Sequence, residues 1–419
     1  MAFEVIVRDP HTRARAGILE TPHGTVETPA YVVVGTHAKV RTLDTGDLQK
    51  TGIQLIIANT YHLWQTLGEG GLATYPGLHA AMGWSGPLMT DSGGFQVFSM
   101  GAMREHSVSK VGVPVESIFA GHFVKHRMFD KRNENHVHIT KDGVMFITEG
   151  TLRQRDAGTG SMRSTSRNVG NGTRQWLDAE KSIRIQQQLG ADIIFAFDEP
   201  TSPLHDYAYT KASLTRTHAW ASRSLAARTS GQMMYGIVQG GSFEDLRKES
   251  ARAISALPFD GFAVGGSYAN SYGSTREHTI CEVAWVTPLL PEDKPRHLLG
   301  IGLIPDIFSA VSAGMDTFDC VVPTREARHG SLWTKKGERI DIVKGKYRDD
   351  KTVLDEQCAC MVCAEMKIEK GALHALFKAR DPQAGRLATL HNVSFFNALM
   401  SRIRAAIKDS TFDRLRAEW

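Results

Sequence analysis

Eight short apolar runs, none of which alternates polar with apolar residues, constrain this chain more than any other feature. They are Tyr31 to Val34, Leu55 to Ala58, Pro87 to Thr90, Ile193 to Phe197, Met233 to Val238, Gly261 to Val264, His297 to Ile301 and Thr317 to Val322. A strand that is apolar on both faces is buried on both faces, and such strands separated by helices form a parallel sheet. Between the runs, segments such as Ala179 to Leu189 and Phe243 to Ala256 carry apolar residues at helical spacing. Eight strand–helix units predict an α/β fold, a (β/α)8 barrel of the TIM type. Residues 1–30 read as a β-rich lead-in with a turn at Pro22-His23-Gly24, placed to cap the core.

Two segments break the rhythm. About a hundred residues separate the third and fourth runs, where a βα unit needs only ~30, so an insertion is expected near 101–174. Its second half, from Asp156 through Arg167 to Thr173-Arg174, is rich in Gly, Ser, Thr and Arg and reads as a mobile loop. That loop is either a tolerated surface insertion or an arm that touches nucleic-acid phosphates. The His136-Val137-His138 spacing would suit a metal pair on a strand, but no strand-end carboxylate constellation accompanies it, and it reads as incidental.

Barrel chemistry sits where the strands end. The residues following the runs are Gly35-Thr36-His37, Asn59-Thr60-Tyr61-His62, Asp91-Ser92-Gly93-Gly94, Asp198-Glu199, Gln239-Gly240-Gly241, Gly265-Gly266, Gly302, and Asp319. Asp319 is unusual because it lies within an apolar run, where an unpaired charge costs several kcal/mol. It is either a satisfied structural aspartate or a catalytic carboxylate. After it the chain breaks at Pro323 into an expected loop carrying Arg325 and Arg328. Asp91 and Asp319 together could serve as acid/base and nucleophile at an anomeric carbon. Asp198 could accept the paired N–H donors of a guanine-type edge. Gln239 and the amides of Gly265-Gly266 could bind a carbonyl oxygen, with glycine allowing close approach of a flat ligand.

All five cysteines lie at or beyond Cys281, and three are packed into Cys358-Ala359-Cys360-Met361-Val362-Cys363. That distribution suits a metal site rather than a disulfide framework. With His391, expected near the start of a helix, they make a Cys3His set for one structural, tetrahedral Zn2+ per chain. His374 is the rival ligand, set aside because it lies in an apparent helix where it could simply pack. Phe395, Phe396, Leu399, Met400, Ile403 and Ile407 recur at helical spacing and would pack this segment on the barrel. The expected organisation is thus a lead-in over 1–30, a catalytic barrel over 31–345, and a zinc-binding subdomain with C-terminal helices over 346–419.

With 42% hydrophobic residues among 419, the chain can bury a large core. No apolar stretch approaches the ~18 residues of a membrane span. The charged start, Met1 to Pro10, lacks the apolar region of a signal peptide, so a soluble, cytoplasmic protein is expected. A net charge of +4 argues neither for nor against nucleic acid.

Five separated motifs, in order along nearly the whole chain outside the insertion, resemble the tRNA-guanine transglycosylase family. They are Met89 to Ser99, Gly236-Ile237-Val238-Gln239-Gly240-Gly241 with Asp245-Leu246-Arg247, Phe262 to Gly266, Phe318 to Arg325, and the Cys-x-Cys-x2-Cys with its distant His391-Asn392. Asn59-Thr60-Tyr61-His62-Leu63 matches as well. The resemblance implies a pentosyltransferase that exchanges guanine in tRNA for a 7-deazaguanine base, in queuosine modification. By the same resemblance Asp319 is the nucleophile, forming a covalent ribosyl intermediate, and Asp91 is the general acid/base. Asp91, Ser92, Asp198, Gln239, Gly265 and Gly266 surround the base, Phe95 and Leu299 flank its faces, and Thr324, Arg325 and Arg328 contact RNA. A homodimer is also implied.

Departures bear on the incoming base. Where bacterial members carry Leu-Ala-Val-Gly-Glu, this chain has Ser267-Tyr268-Ala269-Asn270-Ser271. Loss of that glutamate removes a partner for the aminomethyl cation of preQ1. Leu299 replaces a common methionine and Pro200 a frequent cysteine, so preQ0 and queuine stand beside preQ1 as expectations. The chain ends without an archaeal-type RNA-binding domain, which favours the anticodon wobble position 34. A DNA-acting transglycosylase and a non-catalytic partner subunit are the alternatives.

Overall fold

The computed structural model describes residues 2–98, 137–148, 173–202, 205–266, 277–334 and 337–419. Eight parallel strands close into a barrel in chain order: Ala30–Val34, Ile56–Ala58, Leu88–Thr90, Ile193–Phe195, Met233–Val238, Gly261–Val264, Arg296–Leu298 and Thr317–Cys320. The eighth pairs with the first, from Thr317 against Ala30 to Cys320 against Val33. All eight expected runs are barrel strands. Their lack of alternation has a plain cause. Val32, Ile57, Met89, Phe195, Ile237 and Ala263 fill the interior, while neighbours such as Val33, Ile56, Leu88, Ile194, Val264 and Phe318 pack outward under the helices.

The lead-in forms an antiparallel sheet, Phe3–Arg8, Arg15–Thr21 and Gly24–Thr28. Leu19 and Val26 from it join the interior cluster and close the barrel floor. Buried Arg15 donates to both oxygens of buried Asp316 at 2.8 and 2.6 Å, and Asp316 also accepts the Arg296 amide at 2.7 Å. Asp192, just before the fourth strand, accepts the Leu88 amide at 2.8 Å and lies 2.7 Å from His23 Nδ1. Charged groups at the strand starts therefore tie elements together, and the opposite end is left for chemistry.

Three details differ from expectation. Within the insertion, Val137–Ile139, Val144–Thr148 and Thr173–Leu177 form a small antiparallel sheet, so Thr173 and Arg174 belong to a strand. The rest of the expected mobile loop lies outside the described residues, as do His136 and the stretch Ser267 to Ser271; His138 is described and exposed. The chain after Asp319 does not loop at Pro323. It forms a helix, Val322–Arg328, with the proline in its first turn, where the missing N–H has no intrahelical partner to lose. Finally, His391 sits well inside a single long helix, Pro382–Lys408. Asp381 caps that helix, and no break intervenes before the apolar stripe that packs on the first strand, where Phe396 meets Tyr31 at 5.0 Å between ring centroids.

Candidate active site

Asp91 follows the third strand and is held by the residues that end the second. Asn59 caps the helix Thr60–Ala73 by accepting the His62 amide at 2.9 Å, and its Nδ2 donates to Asp91 Oδ2 at 2.5 Å. The Thr60 and Gly93 amides donate to Asp91 Oδ1 at 2.8 and 3.2 Å. Gly93 has φ +78°, the left-handed region that favours glycine, and this aims its N–H at the carboxylate. Burial pushes the Asp91 carboxyl up to about 7; the Thr60 amide pulls it down, and the nearby Asp319 carboxylate raises it further. It can thus both give and take a proton near neutrality.

Asp198, after the fourth strand, is 4% exposed. Ser92 Oγ donates to one of its oxygens at 2.9 Å and Gln239 Nε2 to the other at 2.7 Å. Burial raises its carboxyl to about 6 despite those two hydrogen bonds. The next layer explains the glycines. A Cβ on Gly265 would run into the Gln239 amide. The Gly265 carbonyl accepts from Arg247 Nη1, whose Nε donates to Gly241 O at 2.7 Å and whose Nη2 meets Glu282 at 2.7 Å. Arg247 has no exposed surface. Sequence reading gave Arg247 no role, although it stands inside a quoted motif, and passed over Glu282; a buried arginine that needs a partner is the signal.

Asp319 ends the eighth strand with its side chain 16% exposed. Its Oδ1 lies 3.0 Å from the Gly300 amide and 3.1 Å from His297 Nε2. Asp91 and Asp319 lie at the C-terminal ends of the third and eighth strands, and so at the same mouth of the closed parallel barrel. Phe95, on the helical turn 94–98 that follows Asp91 in the chain, is 52% exposed, and Leu299 is half-buried against the barrel interior. Gly266 is half-buried next to Gly265. On the helix after Asp319, Arg325 and Arg328 are partly exposed one turn apart, and burial together with the Arg41 and Arg325 charges lowers the Arg328 guanidinium below its ordinary value. Thr324 is buried, and its hydroxyl donates to the Val321 carbonyl at 3.2 Å.

Cys358, Cys360 and Cys363 place their Sγ atoms 3.8, 3.5 and 3.4 Å from His391 Nδ1. Tetrahedral zinc with bonds of about 2.3 Å to sulfur and about 2.05 Å to nitrogen requires S···N separations of about 3.6 Å. The cluster fits a metal ion. His391 Nε2 lies 2.6 Å from the Trp333 carbonyl, which fixes the ring so that Nδ1 faces the thiols. His374 instead lies 2.8 Å from the Ile342 carbonyl, outside the cluster. Asn392, beside His391, donates to the Pro323 carbonyl at 3.1 Å and so ties the metal-binding segment to the arginine-bearing helix.

No helix among the described residues is long and apolar enough to cross a membrane. The family model described as Queuine tRNA-ribosyltransferase matches residues 9–142 and 161–419. A protein of Archaeoglobus fulgidus is 40% identical over 98% of this chain and 98% of its own length. The queuine tRNA-ribosyltransferases of Roseiflexus sp. and Halothermothrix orenii are 38% and 36% identical, each over 100% of this chain and over 99% and 97% of their own lengths. With matches of this extent, the chain belongs to the queuine tRNA-ribosyltransferase family, a family of pentosyltransferases.

Proposed function

We propose that the protein exchanges guanine at the anticodon wobble position of tRNA for a 7-deazaguanine base, through a covalent aspartyl–ribosyl intermediate. The observation that carries this reading is the pairing, in one barrel mouth, of an ionisable Asp91 poised at about 7 with a partly exposed Asp319. Asp319 attacks C1′ while Asp91 protonates the departing guanine; Asp91 then takes the N9 proton of the incoming base, which displaces Asp319. No ATP is needed, because one glycosidic bond is traded for another. Asp198, with Ser92, reads the N–H edge of the base, and Gln239 with the Gly266 amide reads its carbonyl oxygen; the Gly265 amide, expected to share that task, instead donates to the Val238 carbonyl at 3.0 Å within the barrel. Phe95 and Leu299 flank its faces, and Arg325 and Arg328 take up RNA phosphates.

The Cys358, Cys360, Cys363 and His391 cluster holds one structural zinc: four protein ligands leave no open position for chemistry. A cytoplasmic homodimer is the assembly proposed. The incoming base is preQ1 or a relative. Labelled guanine incubated with enzyme and unmodified tRNA should be incorporated by the wild type and not by Asp319→Asn; undiminished incorporation by the variant refutes the nucleophile. Competition among preQ1, preQ0 and queuine, read by mass spectrometry of nucleosides, identifies the base.

A further inference from the structure

His297 has no exposed surface, and it faces the barrel interior toward the end where the strands finish. The register of the seventh and eighth strands sets His297 beside Thr317 and Leu298 beside Phe318. His297, Thr317 and Asp319 therefore share the inward face, with the imidazole 5.5 Å from the Phe195 ring between centroids. His297 Nδ1 lies 2.9 Å from Thr317 Oγ1 and Nε2 lies 3.1 Å from Asp319 Oδ1. Two residues along a strand span about 6.6 Å. An imidazole, with nitrogens on opposite edges, bridges that span in a single side chain.

Among the described residues two groups approach the carboxylate, His297 Nε2 and the Gly300 amide, and both meet the same oxygen, Oδ1. Among the described residues, Oδ2 has no hydrogen-bond donor. We propose that His297 is the positioning residue of the nucleophile: as the Nε2–H tautomer it fixes Asp319 Oδ1 together with Gly300, so that Oδ2 is the oxygen that attacks. Thr317 sets this tautomer by donating its hydroxyl to Nδ1. The inference rests on Asp319 as nucleophile.

The step balances without a proton change at His297. An Oδ2 lone pair forms the C1′–O bond as the C1′–N9 bond breaks, and that electron pair leaves with guanine, which takes its proton from Asp91. In the second half the incoming base loses its N9 proton to Asp91 and attacks C1′. The C1′–Oδ2 bond then breaks and its electrons return to the carboxylate. The contribution of His297 is orientation, and a displacement of about 1 Å in such a group costs on the order of 10²-fold in rate.

The test uses the full-length protein and an unmodified tRNA transcript without incoming base, following the covalent enzyme–RNA band on denaturing gels in single turnover. His297→Phe should slow adduct formation on the order of 10- to 100-fold with KM for tRNA unchanged, and His297→Gln, which keeps an Nε2–H donor, should recover most of the rate. Thr317→Val, nearly isosteric, should show a smaller loss of rate, again at constant KM. An adduct formed at the wild-type rate by His297→Phe overturns the proposal, as does a loss confined to KM. Should His297→Phe not fold, Thr317→Val decides: a wild-type adduct rate overturns the proposal, and a slower rate at constant KM supports it. Asp319→Asn separates the two layers of the argument. An adduct that persists in it refutes the nucleophile itself, whereas a dead Asp319→Asn beside a fast His297→Phe refutes only the positioning role.

Discussion

The raised carboxyl of Asp91 makes a prediction about stability that does not depend on substrate. Its ordinary value is 3.8, and burial lifts it to about 7 in the folded protein. Between those values the native state holds a proton that the unfolded chain has released. The stabilisation is therefore fully present below 3.8 and is lost as pH rises through about 7. Proton linkage across that interval makes this group's contribution fall by about 2.5 kcal/mol from pH 5 to pH 8. Asp91→Asn keeps the shape and cannot ionise. Any fixed cost of placing an amide against Asn59 is the same at both pH values and cancels, so the variant should gain about 2.5 kcal/mol on the wild type over this range. Unfolding entropy of ~2.1 cal/mol/K per residue over 419 residues is about 0.9 kcal/mol/K, so the difference in Tm should widen by about 3 °C. Scanning calorimetry of both proteins at pH 5, 6.5 and 8 measures it. A Tm difference that does not change with pH would show that Asp91 ionises like a solvated carboxylate, and the acid/base assignment would lose its physical basis.

Two further perturbations probe the base pocket and the metal cluster. Gly265→Ala puts a methyl into the Gln239 amide and must push it from Asp198, overpacking worth about 1–3 kcal/mol; KM for the incoming base should rise on the order of 10-fold or more while Tm falls by about 1–3 °C, and an unchanged KM would remove Gln239 from base recognition. Elemental analysis should find one equivalent of zinc in the wild type and little or none in His391→Ala. Because Asn392 links this helix to Pro323, the variant should also lose exchange activity; full metal content in the variant refutes the ligand set.

What the sequence made legible, and what it did not, follows from how each signal is produced. The barrel strands could be read because burial on both faces leaves a local mark, an unbroken apolar run. Asp91, Asp198, Gln239 and Asp319 could be read because strand ends in a barrel converge whatever the helices between them do. Pro323 misleads because proline stops a helix from continuing but also suits its first turn, and local sequence does not distinguish the two. His297 and Arg247 are harder, since their roles lie in contacts across strands and helices. Yet His297 carries a mark close to the one that singles out Asp319: it is a polar residue opening an apolar run, as Asp319 is one within such a run. Register places them together through Thr317. A buried imidazole and a partly exposed carboxylate on adjacent strands meet each other, with Thr317 and the Gly300 amide as their further partners, which is how Asp319 can sit in an apolar run while its Oδ2 has no donor among the described residues. The apolar surroundings that made Asp319 look anomalous are also what give two hydrogen bonds, from His297 and the Gly300 amide, control over its orientation.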